Sequence, residues 1–212
     1  MTVLSNEQRA ISGHVIPHKG LSEWEGIIEE WFLLIDRFCR ITKGDAPYWY
    51  TERANIGLLA GACWRAGFIA LEEFQYEKGY PNKPKWNGRV DLWCENEKTS
   101  TLVEAKMKVI SLNSKGVSNT LESILDIACK DAKKSKGGQG DLTALGMIFV
   151  PVYIPVKHKN GVDQKISAMV KEIKQEFKGD MIFWHFPSVS RELIGKSEKS
   201  YWPGLFVIAR KV

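Results

Sequence analysis

Asp91, Glu104 and Lys106 are the side chains of this 212-residue chain whose types and spacing could do chemistry. They stand in two segments, GRVDLWCE (88–95) and TLVEAKMKV (101–109), that alternate apolar and polar residues as half-buried strands do. The connection ENEKTS is short, which predicts a hairpin. A loop of Glu97-Lys98 and a loop of Asn96 to Thr99 give the same register, with Asp91 directly opposite Glu104. Directly opposed residues share a face with Cβ atoms roughly 4.5–5.5 Å apart. An odd-length loop without a bulge would send the two acids to opposite faces.

Two carboxylates so placed repel by roughly 3 kcal/mol, taking about 5 Å and an effective dielectric near 20. A shared proton, a neighbouring cation or a bound divalent metal relieves that repulsion. Lys106 lies two residues beyond Glu104 on the same face and supplies part of the positive charge. Hard oxygen donors in this arrangement suit Mg²⁺, with Mn²⁺ as an alternative, and Mg²⁺ takes phosphate oxygens as further ligands. The expected site therefore holds Mg²⁺ on Asp91, Glu104 and the carbonyl of Ala105. The metal would polarise a phosphodiester and acidify a bound water. Lys106 would position that water and stabilise negative charge in the transition state. A solvated charged face with cross-strand ion pairs, Asp91 with Lys106 among them, is the competing reading of the same residues.

The elements that must position these groups are legible from periodicity. One helix is expected from Ser22 (an N-cap with Glu25 in the capping-box position) until Gly44, Asp45 and Pro47 end it, and a second from about Thr51 to Ala66. Two more are expected at 119–134 and 162–177. Small residues in the second helix (Ala54, Gly57, Ala60, Gly61, Ala62) allow close approach by another element. Strands are expected at 68–78 with a turn at Gly79 to Pro84, at 88–95, 101–109, 143–155, 181–186 and 204–211. Within 88–95, Val90, Leu92 and Cys94 should point one way, and Arg89, Asp91, Trp93 and Glu95 the other. KKSKGGQGD (133–141) reads first as a flexible, solvated basic connection, with contact to a nucleic-acid backbone as the second reading. The order is α, α, β, β, β, α, β, α, β, β, which predicts an α/β fold of the α+β type. A mixed central sheet would be flanked by helices. Residues 1–20 read as an N-terminal arm and 21–212 as one domain.

The run GRVDLWCE…TLVEAKMK resembles the PD-(D/E)XK nuclease superfamily, with its restriction-endonuclease-like fold. Asp91 matches the first acid and Glu104-Ala105-Lys106 the Glu-x-Lys element; Val90 stands where the signature has Pro. Strand, strand, helix, strand order from about 68 to 154 is similar to that family's core, which would occupy about 50–155 here. The resemblance implies an Mg²⁺-dependent nuclease that hydrolyses DNA, RNA being a further possible substrate, in restriction, repair or phage defence. It also implies an acid from the helix before the first core strand. Glu52 is the candidate, with a favourable helix-dipole interaction as its equal alternative; Glu72 and Glu73 are weaker ones. A nuclease fold kept without catalysis, binding nucleic acid or a partner protein, is the rival function.

Composition sets the outer bounds. The net charge of +5 is compatible with a polyanionic partner without demanding one. The four cysteines form no CxxC pair and read as buried thiols of a reducing compartment. No signal segment and no membrane-length apolar run is seen, so a cytoplasmic protein without a membrane partner is expected. Cutting both strands of a duplex would suit a homodimer or a partner subunit. The Tyr48-Trp49-Tyr50 cluster reads first as a core or loop anchor, and the histidines complete no zinc motif.

Overall fold

The computed structural model describes residues 10–137, 141–177, 179–191, 193–195 and 199–212. Its centre is an eight-stranded mixed sheet. The strands are β1 (Ile11–Val15), β2 (Ile69–Lys78), β3 (Trp86–Glu95), β4 (Ser100–Met107), β5 (Ile110–Ser111), β6 (Thr143–Pro155), β7 (Met181–Phe186) and β8 (Ser200–Lys211). They lie side by side in the order β1-β7-β8-β6-β4-β3-β2, with β5 also paired to β6. β2, β3 and β4 form an antiparallel meander. α3 (Ser118–Lys136) then carries the chain across the sheet so that β6 runs parallel to β4. The expected α+β architecture is thus the observed one.

Helices α1 (Trp24–Thr42) and α2 (Glu52–Arg65) cover one face and α3 and α4 (Val162–Glu176) the other. α1 buries Trp24, Ile27, Ile28, Trp31 and Ile35, the three-and-four spacing of a single helical stripe. It begins two residues after Ser22, and the expected side-chain cap is absent: Glu23 occupies the cap position without a side-chain hydrogen bond. Ser22 instead offers its backbone carbonyl to the Glu25 N–H. In α2, Gly61 faces Leu34 of α1 and Gly57 faces Glu72 of β2. The small-residue stripe therefore admits two neighbours.

The N-terminal arm needs correction, although residues 1–9 of it lie outside the described residues. Ile11–Val15 is an edge strand paired antiparallel with β7, Ser12 directly opposite His185. Ser12 Oγ lies 2.7 Å from His185 Nδ1, and His185 Nε2 lies 3.0 Å from Asp36 Oδ1. This chain of polar contacts ties β1, β7 and α1 together, and Phe32 stacks on the His185 ring. A short polar strand whose partner lies 173 residues on has no local signature, which is why the sequence reads as an arm. The basic connection at 133–141 is also shorter than expected. α3 runs on to Lys136 and ends at Gly137, whose left-handed conformation (φ 58°) lets its N–H bond the Lys133 carbonyl. Residues 138–140 of the GGQG stretch lie outside the described residues.

The four cysteines are free and buried. Tyr48 is fully buried with its hydroxyl donating to the Trp202 carbonyl, and Trp49 packs edge-on against Trp202, so this cluster is an anchor. Among the described residues, no helix is long and apolar enough to cross a membrane.

Candidate active site

The hairpin closes through Asn96–Thr99, with the Asn96 N–H bonded to the Thr99 carbonyl and Glu95 paired with Ser100. The pairs run inward to Leu92↔Val103, and continuing that register brings Asp91 to Glu104. The even-length loop therefore gives the expected register as far as Leu92↔Val103, and Asp91 and Glu104 lie one step beyond the end of the ladder. What differs is the local backbone. The ladder stops at Leu92, and the next interaction is made by a side chain: Asp91 Oδ2 accepts the Ala105 N–H at 2.7 Å.

The alternation of faces also breaks at this point, against expectation. Leu92 and Cys94 pack in the core beneath α1 and α2, whereas Val90 packs with Leu102, Ala132 and Trp93 beneath α3. The neighbouring strand turns over at the same level. Ala70 faces the first core and Phe74 and Tyr76 the second, with Glu73 between them in the left-handed region (φ 54°). A regular strand would keep all its even residues on one face. The β2–β3 ribbon thus rolls over at Glu73 and Asp91, beside the end of the β3–β4 ladder. β4 itself alternates as expected, with Val103 and Ala105 in the first core and Glu104 and Lys106 toward α3.

Glu104 is 3 % exposed, and its Oε1 accepts from Lys78 Nζ at 2.6 Å and from the Ser135 hydroxyl. Lys106 Nζ donates to the Ala105 carbonyl at 2.9 Å and lies 3.4 Å from Asp131 Oδ2 on α3. Lys134 completes that pair, 2.9 Å from Asp131 Oδ1. Glu52 sits in the first turn of α2, where the Thr51 hydroxyl caps the helix by accepting the Ala54 N–H. Arg53 and Arg89 hold Glu73 at 2.9 and 3.2 Å. Glu72 instead lies against Gly57 of α2. Lys130 and Lys133 are exposed.

Burial governs the electrostatics. It raises the carboxyls of Asp91, Glu104 and Glu52 above their ordinary range. The Ala105 N–H and Lys106 oppose the rise at Asp91, and Lys78 and Ser135 oppose it at Glu104, without cancelling it. Glu52 feels Lys106 most strongly among its charged neighbours, then Asp91, Glu73 and Glu104. These are the residues named from the sequence, brought within one electrostatic neighbourhood from three strands and a helix. Asp131 and Glu73, each held by two cations, sit below the ordinary range despite their own desolvation.

Three desolvated carboxylates, Glu52, Asp91 and Glu104, face the two ammonium groups of Lys78 and Lys106. Hydrogen bonds engage Oδ2 of Asp91 and Oε1 of Glu104. The donor set fits a hard divalent cation of the Mg²⁺ type, which needs only one or two carboxylates and completes its shell with water and substrate phosphate. It does not fit an all-protein cage. Among the described residues no three His, Cys, Asp or Glu side chains are grouped to hold a metal by themselves. The Ala105 carbonyl, the third expected ligand, is engaged by Lys106.

Sequence reasoning passes over Lys78, Asp131 and Ser135. Lys78 continues the first core strand by alternation from Tyr76, and Asp131 and Ser135 lie four apart on the face of α3 that also presents Ala128 and Ala132 to the sheet. A helix ending at Lys134 puts Ser135 in a connection. No family model, curated protein or solved structure matches the chain.

Proposed function

We propose that this protein is a metal-dependent nuclease of the PD-(D/E)XK type that hydrolyses DNA phosphodiester bonds. The observation that carries the reading is the meeting of Asp91 and Glu104, both desolvated, at the point where β3 leaves β4, with Lys106 alongside. In this reading Asp91 and Glu104 would hold Mg²⁺ or Mn²⁺. When bound, such an ion polarises a phosphate oxygen and makes a water nucleophilic near neutral pH.

The chain's own residues supply the rest. Ser135 fixes the Glu104 carboxylate by its hydroxyl, and the Ala105 N–H fixes that of Asp91, so neither needs to reorganise when a cation arrives. Lys106, held by the Ala105 carbonyl and Asp131, presents an ammonium group beside the acids, where it can orient the attacking water and offset charge on the phosphorane-like oxygens. Glu52 adds a fourth group from α2, able to accept a hydrogen bond from water. A second reading, a nuclease fold that binds nucleic acid without cutting, draws on one observation. Lys78 sits on Glu104 and Lys106 on the Ala105 carbonyl, so the site is already closed by its own cations.

The deciding experiment pairs metal binding with cleavage. Mg²⁺ or Mn²⁺ at about 100 times its dissociation constant should stabilise the wild-type fold by about 2.7 kcal/mol. Single- and double-stranded DNA should then be cut. Asp91→Ala, Glu104→Gln and Lys106→Ala should each abolish cutting while the protein remains folded by circular dichroism. Only the first two should lose the metal-induced stabilisation. Full cleavage by any of the three overturns its assigned role. DNA binding without cleavage in either metal, across substrates, would favour the binding module.

A further inference from the structure

The hairpin between β2 and β3 grows directly out of the site. Its register pairs Lys78, whose ammonium lies on Glu104, with Trp86 on the opposite strand. Gly79 donates its N–H to the Lys134 carbonyl of α3, which fixes the base of the hairpin beside the Asp131–Lys134 pair. From Lys78 to Arg89 the sequence is KGYPNKPKWNGR, with four basic residues and no acid. Two aromatic rings stand out of it into solvent, Tyr80 at 38 % and Trp86 at 46 % exposure. Lys83 lies over the Tyr80 ring, 5.7 Å from its centre, and Lys85 reaches back to Glu77.

Exposed rings spaced along a basic strand have a specific partner chemistry. A base has a flat face that stacks on Trp or Tyr, and its phosphate takes a lysine or arginine, so aromatic and cationic side chains along one ribbon suit an unpaired nucleic-acid strand. A duplex offers phosphates to the same lysines while keeping its base faces stacked on one another. We infer that the hairpin of residues 78–89 is a platform for single-stranded DNA, which stacks bases on Trp86 and Tyr80 and leads the strand to the carboxylates at Lys78. Cleavage of the bound strand rests on the nuclease reading, whereas binding itself is independent of it. Lys83 would take a backbone phosphate, and the proline pair Pro81 and Pro84 limits the conformational freedom of the tip, which lowers the ordering cost of binding.

The test measures binding of the full chain in EDTA, where no cleavage can occur. Fluorescein-labelled oligothymidylate of about 20 nucleotides, long enough to cover a site of the usual size for stacked single strands, and a blunt duplex of the same length serve as probes in fluorescence anisotropy. The single strand should bind at least about fivefold more tightly than the duplex, as one or more stacked bases require. Trp86→Ala should weaken single-strand binding by about 5- to 100-fold, with Trp86→Phe close to wild type, as stacking on one base requires. Lys83→Ala should weaken binding less at high salt than at low and reduce the salt slope by about 0.7. Equal affinity for duplex and single strand overturns the inference. So does an unchanged constant for Trp86→Ala, or a Trp86→Ala effect confined to self-association in sedimentation. If Trp86→Ala behaves as expected and the wild type never cuts DNA with Mg²⁺ or Mn²⁺, the platform stands and the nuclease reading fails. If the wild type cuts and Trp86→Ala binds unchanged, the reverse holds.

Discussion

Gly146 on β6 decides how closely α3 can approach the site, and replacing it with alanine should damage both fold and chemistry. Its backbone lies in parallel register beside Glu104. A Cβ at that position would fall 2.4 Å from Cys129 N and 2.6 Å from both Cys129 Cα and Sγ. Carbon contacts in a packed interior settle near 3.5–4 Å, so the helix and sheet would have to separate by about 1 Å. The obstacle is α3's own backbone, which has no rotamer with which to give way. Overpacking of this kind costs about 1–3 kcal/mol, and for a chain of this length each kcal/mol lowers Tm by about 2–4 °C. Thermal unfolding of Gly146→Ala should therefore show a fall in Tm of about 2–12 °C. Ser135 rides on the same helix, so its hydroxyl should draw away from Glu104, and under the proposed metal-dependent reading Mn²⁺ affinity measured by calorimetry should fall with it. Removing the sulfur by adding Cys129→Ala should recover little, because the nitrogen and Cα remain in the way. A Gly146→Ala protein that melts within about 1 °C of wild type, below the smallest fall that overpacking allows, would refute the claim that this glycine sets the spacing. Full recovery by Cys129→Ala would refute the claim that backbone is the obstacle.

Two further predictions concern the charges. Lys78→Met leaves Glu104 buried without its ammonium partner and should cost about 3 kcal/mol near neutral pH. The loss should shrink as pH falls and Glu104 takes up a proton, and a loss that is flat between mildly alkaline and acidic pH would count against the pairing. Asp91→Asn keeps an acceptor for the Ala105 N–H and removes a carboxylate whose folded-state pKa burial has raised. A raised acid binds its proton more tightly in the folded state. Its contribution to stability is therefore unfavourable when ionised and improves as pH falls through the raised pKa toward the ordinary carboxylate value. In EDTA the variant should melt above wild type at about pH 8, the gap closing toward about pH 4; a variant that melts below wild type throughout would show that the ionised form is the stabilised one.

Much of the candidate site is legible in the sequence because the signals for it are local. The loop of residues 96–99 has an even length, and that parity fixes the register of the two strands up to Leu92↔Val103, one step short of Asp91 and Glu104. The helix and strand order from α2 to β6 can likewise be read from periodicity and short connections. The sequence does not show what depends on distant partners. β1 exists because β7 offers it an edge, and Ser135 matters because Gly146, in another element, lets α3 settle onto Glu104. Lys78 and Glu104 lie 26 residues apart and meet only after the ribbon has rolled over. Residues 79–84 read as a turn, and the exposed rings of the hairpin become visible only as solvent-facing surface.

The roll of the ribbon is the one step the strand pattern actively conceals. Alternation over VDLWC is unbroken in the sequence, so every rule of strand geometry places Val90 with Leu92; the structure separates them across the sheet. A left-handed backbone at a glutamate costs about 1–2 kcal/mol, and Glu73 adopts one while held by Arg53 and Arg89. Had β2 and β3 continued flat, the β3–β4 ladder would run on past Leu92. Instead it stops there, the Asp91 carboxylate accepts the Ala105 N–H, and Lys78 comes over to the α3 side to reach Glu104. Strain at a single residue thus accompanies the end of the β3–β4 ladder beside two buried carboxylates. Backbone strain of this kind persists only where the surrounding structure holds it, as Arg53 and Arg89 hold Glu73 here, and it clusters at functional sites, which is the ground for the proposed reading of Asp91 and Glu104.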